Sequence, residues 1–164
     1  MSASIDTHGE KRSLMIAANP ATSPTTGWPV GFWWAELTHP YWVFTEAGYT
    51  VDIVSPKGGD LAADGFSDPE DDSQYSAHDI VSLGFKKSPA HAALLTGTKS
   101  IADVSIEDYD AIFLAGGQSP MVTMIDDGDL HAFVAKAHEA DKVVAIVSHL
   151  PHLIAFTICG GTRA

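Results

Sequence analysis

The sequence predicts a doubly wound α/β domain, in which helices cover both faces of a parallel sheet. The strongest observation is a pair of apolar runs, residues 111–115 and 143–147, with a helical pattern between them. Such runs are typical of strands that are buried on both faces and joined as a parallel β-α-β unit. Sheets of this kind bind ligands at the carboxyl ends of their strands, so we expect the functional site where these two strands end.

The first half of the chain contributes two further strands and the first long helix. The strands are residues 13–18, which are mainly apolar, and residues 49–55, which are rich in β-branched side chains. Helical spacing of apolar residues begins at Gly31, after a loop with several threonines and prolines. Pro40 predicts a kink or a short break in this helix, and Gly48 marks its end.

A long polar stretch, residues 56–76, follows the second strand and carries five acidic residues between Asp64 and Asp72. A metal site needs carboxylate oxygens that converge at fixed distances, which a flexible loop does not provide. We therefore interpret the stretch as a solvated surface loop.

The second half completes the alternation of helices and strands. Residues 77–96 predict a helix in two pieces, broken around Gly84 and Pro89, and residues 98–104 fit a small extra strand or an extended arm. Residues 127–141 place apolar side chains at helical spacing and acids in the first turn, which predicts the helix between the last two strands.

Length, charge and cysteine content limit the possible functions. The 164 residues fit one domain, residues 13–164, preceded by a flexible lead of residues 1–12. A net charge of −12 disfavours nucleic acid and anionic membranes as partners. No apolar run approaches the ~20 residues that cross a bilayer. The N-terminus lacks a secretion signal and Cys159 is the only cysteine, so we expect a cytoplasmic protein without disulfides.

Ser148 and His149 follow directly after the last predicted strand. A serine at a strand-to-helix turn is a candidate nucleophile, because N–H groups at the helix start favour a developing anion. Serine is also a good helix cap, and this alternative stays open. His149 is either a catalytic group or a histidine that bonds to the backbone at the strand end.

Glu36 is the candidate proton carrier. It lies among aromatic and aliphatic residues of the first helix, where burial would raise the pKa of a carboxyl group into a range useful for acid–base catalysis. The alternative is that Glu36 lies on the solvated side of this helix. If the catalytic interpretation holds, its carboxylate lies roughly 2.6–3.2 Å from the Ser148 hydroxyl, or one water away.

The paired glycines Gly116 and Gly117 are candidate oxyanion donors, because their N–H groups carry no neighbouring side chain. Glycine pairs after a strand also simply make turns. The adjacent Gln118 is a candidate pocket residue. The histidines and Cys159 show no ligand spacing, so we predict neither a metal nor a cofactor.

Four segments of the chain, in order, resemble the ThiJ/PfpI family of the class I glutamine amidotransferase-like superfamily, nearest its small stress-chaperone and glutathione-independent glyoxalase branch. They include GFWWAELTHPY (31–41), AGYTVDIVS (47–55), DYDAIFLAGG (108–117) and VAIVSH (144–149).

The resemblance implies a flavodoxin-like sheet, a homodimer and an elbow nucleophile followed by histidine. It assigns the elbow to Ser148 and its neighbour to His149. It also assigns the glutamate that bonds the nucleophile to Glu36, and the oxyanion glycine to Gly117.

The chain departs from the family pattern at the elbow and beyond it. The family has a cysteine where this chain has Ser148, and residues 150–164 do not resemble the family. Cys159 lies past the elbow and does not replace the missing thiol. The family continues beyond the position of Ala164, so we predict a domain shortened at the C-terminus.

Two hypotheses follow. In the first, the protein is an enzyme of small carbonyl or acyl substrates, either glyoxalase- or deglycase-like or, with serine at the elbow, an ester or lactone hydrolase. In the second, it is a non-catalytic stress or chaperone-like protein, in which an exposed aromatic cluster around Trp33 and Trp34 binds clients. An amidotransferase subunit is disfavoured, because glutamine hydrolysis in the superfamily uses the missing thiol.

Overall fold

A computed structural model describes residues 11–147 of the chain. The strands are β1 Arg12–Ile16, β2 Ala21–Thr22, β3 Pro29–Val30, β4 Thr50–Ser55, β5 Lys57–Gly59, β6 Thr98–Ser100, β7 Ala111–Leu114 and β8 Val143–Ile146. The helices are α1 Trp34–Glu46, α2 Ile80–Lys87, α3 Pro89–Ala92, α4 Pro120–Thr123 and α5 Gly128–Glu139. Short 3₁₀ turns connect several of them.

Six strands form one sheet in the order β5-β6-β4-β1-β7-β8. Strand β1 lies in the middle, parallel to β4 on one side and to β7 on the other, and β8 is parallel to β7. Only the short edge strand β5 runs antiparallel to its neighbour among the paired strands of this sheet within residues 11–147. The predicted doubly wound α/β sheet is confirmed. Strands β2 and β3 pair separately as a small antiparallel ribbon.

The sheet separates two hydrophobic cores. On β1, Leu14 and Ile16 face the core that contains α5, whereas Met15 faces the core that contains α1 and α2. Strand β7 divides its side chains in the same way, with Phe113 on the α1 side. This alternation follows from the two-residue period of a strand, and it explains why the sequence of each central strand is continuously apolar.

The helix break predicted at Gly84 does not occur, and at Pro40, where a kink or a short break was predicted, there is no break. Helix α1 runs without interruption through Pro40, and α2 runs through Gly84. In α1 the loss of one N–H donor at Pro40 is outweighed by packing, since Trp34 and Leu37 are buried against the sheet. The break at Pro89 is confirmed, because α3 begins there after the extended residue Ser88.

The interpretation of residues 56–76 as a solvated loop was wrong in part. The stretch contributes the edge strand β5 and a 3₁₀ turn, Gly65–Ser67. Asp64 and Ser67 are almost fully buried, with 2% and 1% of their surface exposed. Lys86 pairs with Asp68 at 2.6 Å and with Glu70 at 3.1 Å, which ties the stretch to α2.

A buried chain of polar groups fastens α1 to α2. The hydroxyl oxygens of Thr38 on α1 and Ser82 on α2 lie 2.7 Å apart. Ser82 donates its hydroxyl to Asp79 Oδ2 at 2.5 Å and its backbone N–H to Asp79 Oδ1 at 3.0 Å, so Asp79 caps the start of α2. His39 Nε2 lies 2.9 Å from the same carboxylate. Burial acts to raise the pKa of Asp79, but the bonds from Ser82 and His39 outweigh it and lower the pKa.

We expect Asp79→Ala to lower the free energy of unfolding by about 2 kcal/mol at neutral pH, because a buried helix cap and a charged hydrogen-bond acceptor are lost. The native pKa of Asp79 lies below its unfolded value, so its contribution is present above the ordinary aspartate pKa and is lost as pH falls through the native one. Urea unfolding of both proteins, at neutral pH and at about pH 3, should show the difference shrinking in acid. A difference that grows in acid would contradict this sign.

Within residues 11–147, no helix combines the length and the apolar character that a bilayer-spanning segment requires.

Candidate functional site

The loop that leaves β7, Gly116-Gly117-Gln118 and hereafter the glycine loop, packs directly on the segment that enters α1. The N–H of Trp33 donates to the Gly116 carbonyl at 3.0 Å, and the N–H of Ser119 donates to the Gly31 carbonyl at 3.1 Å. Phe32 and Gly117 face each other across this short antiparallel bridge. The N–H of Gly117 is not the donor in either of these two backbone bonds.

Only glycine fits at two positions of this junction. Gly117 has a φ of +129°, which L side chains rarely adopt, and a Cβ there would lie 2.5 Å from the Gly31 oxygen and 2.7 Å from the Trp33 nitrogen. A Cβ at Gly31 would lie 1.9 Å from the Ala62 oxygen. Glycine at these positions therefore permits a close backbone approach, beyond merely making a turn.

Glu36 lies in the first turn of α1, immediately beyond this junction. Its backbone N–H donates to the Trp33 carbonyl at 3.1 Å, so the backbone of Glu36 is held in place by the junction. The residue is half-buried and its Oε2 atom is shielded from solvent. The alternative interpretation, in which Glu36 lies on the solvated side of the helix, requires a carboxylate that projects freely into solvent. The shielded Oε2 atom does not fit it.

The carboxyl end of β8 reaches the same region. The N–H of Val147 donates to the Leu114 carbonyl at 3.3 Å, which extends the pairing with β7 by one residue. Val147 packs into the core that also holds Phe32 and Leu37 of the α1 segment. Val147, the residue that follows β8, thus lies on the α1 side of the sheet. Ser148 and His149, predicted as nucleophile and neighbour, lie outside the described residues, and so does the predicted distance from Glu36 to Ser148.

Asp64 is a residue of this site that the sequence interpretation missed. Its Oδ1 accepts the N–H of Gly31 at 2.8 Å, and its Oδ2 accepts the N–H of Gln118 at 2.7 Å. Its backbone N–H donates to the Phe32 carbonyl at 2.8 Å. Burial raises the pKa of Asp64, and the two N–H bonds to the carboxylate act in the opposite direction. The only signal in the sequence was that Asp64 directly precedes Gly65.

Gln118, which the sequence predicts as a pocket residue, is exposed beside the junction. It borders a groove of about 190 Å³ together with Trp28, Phe66 and Asp71. It also borders a second groove, of about 360 Å³, formed with the β2–β3 segment and α4.

The four tryptophans do not form one exposed cluster. Trp34 is 7% exposed and packs edge-on against Phe32 and Phe85 in the core. Trp33 is half-buried, whereas Trp28 and Trp42 are 61% and 54% exposed. The client-binding surface predicted around Trp33 and Trp34 was therefore wrong for Trp34.

Within the part of the chain that the structure describes, no group of three or more histidine, cysteine, aspartate or glutamate side chains is placed to hold a metal ion. His39 contacts Asp79, and His91 Nδ1 lies 2.7 Å from the Ser88 hydroxyl. Cys159 lies outside the described residues.

Comparison with known proteins gives consistent matches. The model of the DJ-1/PfpI family matches residues 31–163, so the expectation that the family likeness ends at residue 149 was wrong. The glutathione-independent glyoxalase hsp3101 of Schizosaccharomyces pombe is 24% identical over 144 residues, which cover 79% of this chain and 52% of that protein. The probable glutathione-independent glyoxalase hsp3103 of the same organism is 28% identical over 166 residues, covering 88% and 63%.

Solved structures show the same fold. The Rapid Encystment Protein 24 KDa of Francisella tularensis superposes with a TM-score of 0.73 and 26% identity, covering 88% of this chain and 60% of that one. Glyoxalase III from Candida albicans superposes with a TM-score of 0.67 and 22% identity, covering 88% and 59%. The chain spans about half to just under two thirds of the curated relatives' length. With a family model matched from the glycine junction onward and a flavodoxin-like sheet in place, the chain belongs to the DJ-1/PfpI family.

Proposed function

We propose that the protein is an enzyme that acts on small carbonyl or acyl substrates. One observation carries the proposal: the glycine loop, the first turn of α1 with Glu36, and the end of β8 lie together on one side of the sheet. A carbonyl substrate needs a donor for its oxygen, a group that moves a proton, and a nucleophile. Two curated relatives that carry the name glutathione-independent glyoxalase support the same class of substrate.

In the proposed mechanism, the N–H of Gly117 donates to the oxygen of the reacting carbonyl as negative charge develops there. Glu36, half-buried in the first turn of α1, takes up and returns the proton. Ser148, the residue after Val147, attacks the carbonyl carbon or orients a water, and His149 assists it. Gln118 contacts the substrate at the rim. The proposal needs no cofactor.

Two reactions fit these groups, and a serine at position 148 favours one of them over the other. Conversion of a 2-oxoaldehyde to a 2-hydroxy acid adds one water and moves one hydrogen between adjacent carbons, and it profits from a low-pKa thiolate. Hydrolysis of an ester or a lactone needs only a nucleophile, a base and an oxyanion donor. We propose hydrolysis as the stronger activity of the serine enzyme, with glyoxalase turnover as the weaker one.

We expect Ser148→Ala to lower kcat/KM for both substrates by about 10³-fold, because the attacking group is removed. Ser148→Cys should raise turnover of methylglyoxal without glutathione, because a thiol ionises far more readily than a hydroxyl. The measurements are lactate formation from methylglyoxal and hydrolysis of p-nitrophenyl acetate and of a simple lactone.

The matched control is Ser105→Ala, a solvent-exposed serine outside the site, which should retain wild-type turnover. Full turnover by Ser148→Ala would remove Ser148 as the nucleophile. A wild-type protein that turns over none of these substrates would contradict the enzyme proposal itself.

A further inference from the structure

We propose that Asp64 is a positioning residue, which sets the separation between the oxyanion donor of the glycine loop and the proton-carrying turn of α1. The inference rests on the proposed function for its catalytic consequence. Its structural basis, a buried carboxylate that binds two separate backbone segments, stands on the contacts alone.

The carboxylate of Asp64 connects the segment that enters α1 with the glycine loop. One oxygen holds Gly31, five residues before Glu36, and the other holds Gln118, directly after Gly117. The backbone bonds from Trp33 to Gly116 and from Ser119 to Gly31 hold the same two segments together. A change at Asp64 therefore alters the relative position of Gly117 and Glu36 without touching either.

The segment around Asp64 is itself held in place. Phe32 exchanges backbone bonds with this segment, donating to the Ala62 carbonyl at 3.1 Å and accepting the Asp64 N–H at 2.8 Å. The Ser67 hydroxyl donates to the Asp64 carbonyl at 2.7 Å and accepts the N–H of Trp34 at 3.1 Å. Asp64 is thus a rigid support, 2% exposed, and not a mobile acid on a loop.

The chemistry of the contact requires a carboxylate. Both partners of the side chain are N–H donors, so both oxygens must accept. An asparagine of the same shape offers one acceptor, and its amide group would direct hydrogens at the second N–H. One of the two segments would therefore be released, and displacement of a reacting group by about 1 Å costs on the order of 100-fold in rate.

The test compares Asp64→Asn with Asp79→Asn, which neutralises another buried aspartate on the same side of the sheet but away from the glycine loop. We expect Asp64→Asn to lower kcat/KM for the substrates above by about 100-fold at a temperature where circular dichroism shows it folded. Its pH–rate profile should keep the wild-type inflections, because Asp64 does not transfer the proton. Asp79→Asn should stay within about threefold of the wild type.

Near-normal turnover of folded Asp64→Asn, equal losses in both variants, or a missing inflection in the pH profile would overturn the positioning role. A second measurement needs neither activity nor a stable variant. In the wild-type protein the amide hydrogens of Gly31 and Gln118 should exchange slowly, although the Gln118 side chain is exposed. Fast exchange of both would overturn the proposal even if the enzyme is active. Slow exchange in a protein without turnover would instead leave the support intact and reject the proposed function.

Discussion

Gly117→Ala is expected to reduce stability and to abolish turnover together. The new methyl group would lie within 2.8 Å of three backbone atoms of residues 31–33, and the φ of +129° disfavours any L side chain. Strain and overpacking of this kind cost about 1–3 kcal/mol each, so we expect a loss of about 3 kcal/mol in the free energy of unfolding. Because the neighbouring atoms are backbone, the junction itself must open. Chemical denaturation and the substrate assays measure the two effects.

The matched control is Gly84→Ala in α2. A Cβ at Gly84 meets nothing within 4 Å, and the residue lies inside a helix. Alanine should therefore stabilise the protein by about 0.5–1 kcal/mol and leave turnover unchanged. Equal effects of the two substitutions would show that the close approach at Gly117 does not constrain the fold.

Glu36→Gln is expected to lower kcat by about 10²–10⁴-fold while the fold is retained. Glutamine preserves the size of the half-buried side chain but does not take up a proton. The loss should appear mainly in kcat, because the substrate still binds the glycine loop. Steady-state kinetics on the wild type and the variant, with circular dichroism as the check of folding, measure this.

Glu46→Gln is the control on the same helix. Glu46 is exposed at the last position of α1, about 15 Å along the helix from Glu36, so its substitution should not change turnover. If Glu36→Gln retains wild-type kcat, the carboxylate has a structural role and the proton is carried by another group.

The sequence predicted four of the six strands of the sheet, because each of the four follows from a local pattern. Apolar runs identified β1, β4, β7 and β8 to within one or two residues, and the rule that parallel sheets bind ligands at their carboxyl ends placed the glycine loop. Gly117 was identified by its position after β7. The reason that glycine is required there is the close contact with Gly31. This residue lies 86 positions earlier in the chain, so no local pattern reveals the contact.

Asp64 illustrates the opposite case. Five acids in one polar stretch indicate solvent, and composition alone does not show which of them folds inward. Its hydrogen bonds reach residues 33 and 54 positions away, so only tertiary structure reveals them. The uninterrupted path of α1 through Pro40 was missed for a similar reason, since packing by Trp34 and Leu37 overrides a local preference.

The central position of β1 has a consequence for how the molecule forms. Its neighbours β4 and β7 lie about 40 and 100 residues away in the chain, so each pairing closes a long loop. Chains dominated by such distant pairings fold slowly. The glycine loop follows β7 directly, so it depends on the pairing of β7 with β1 and on the bond from Gln118 to Asp64. We therefore expect the glycine loop to take its final geometry late in refolding from urea.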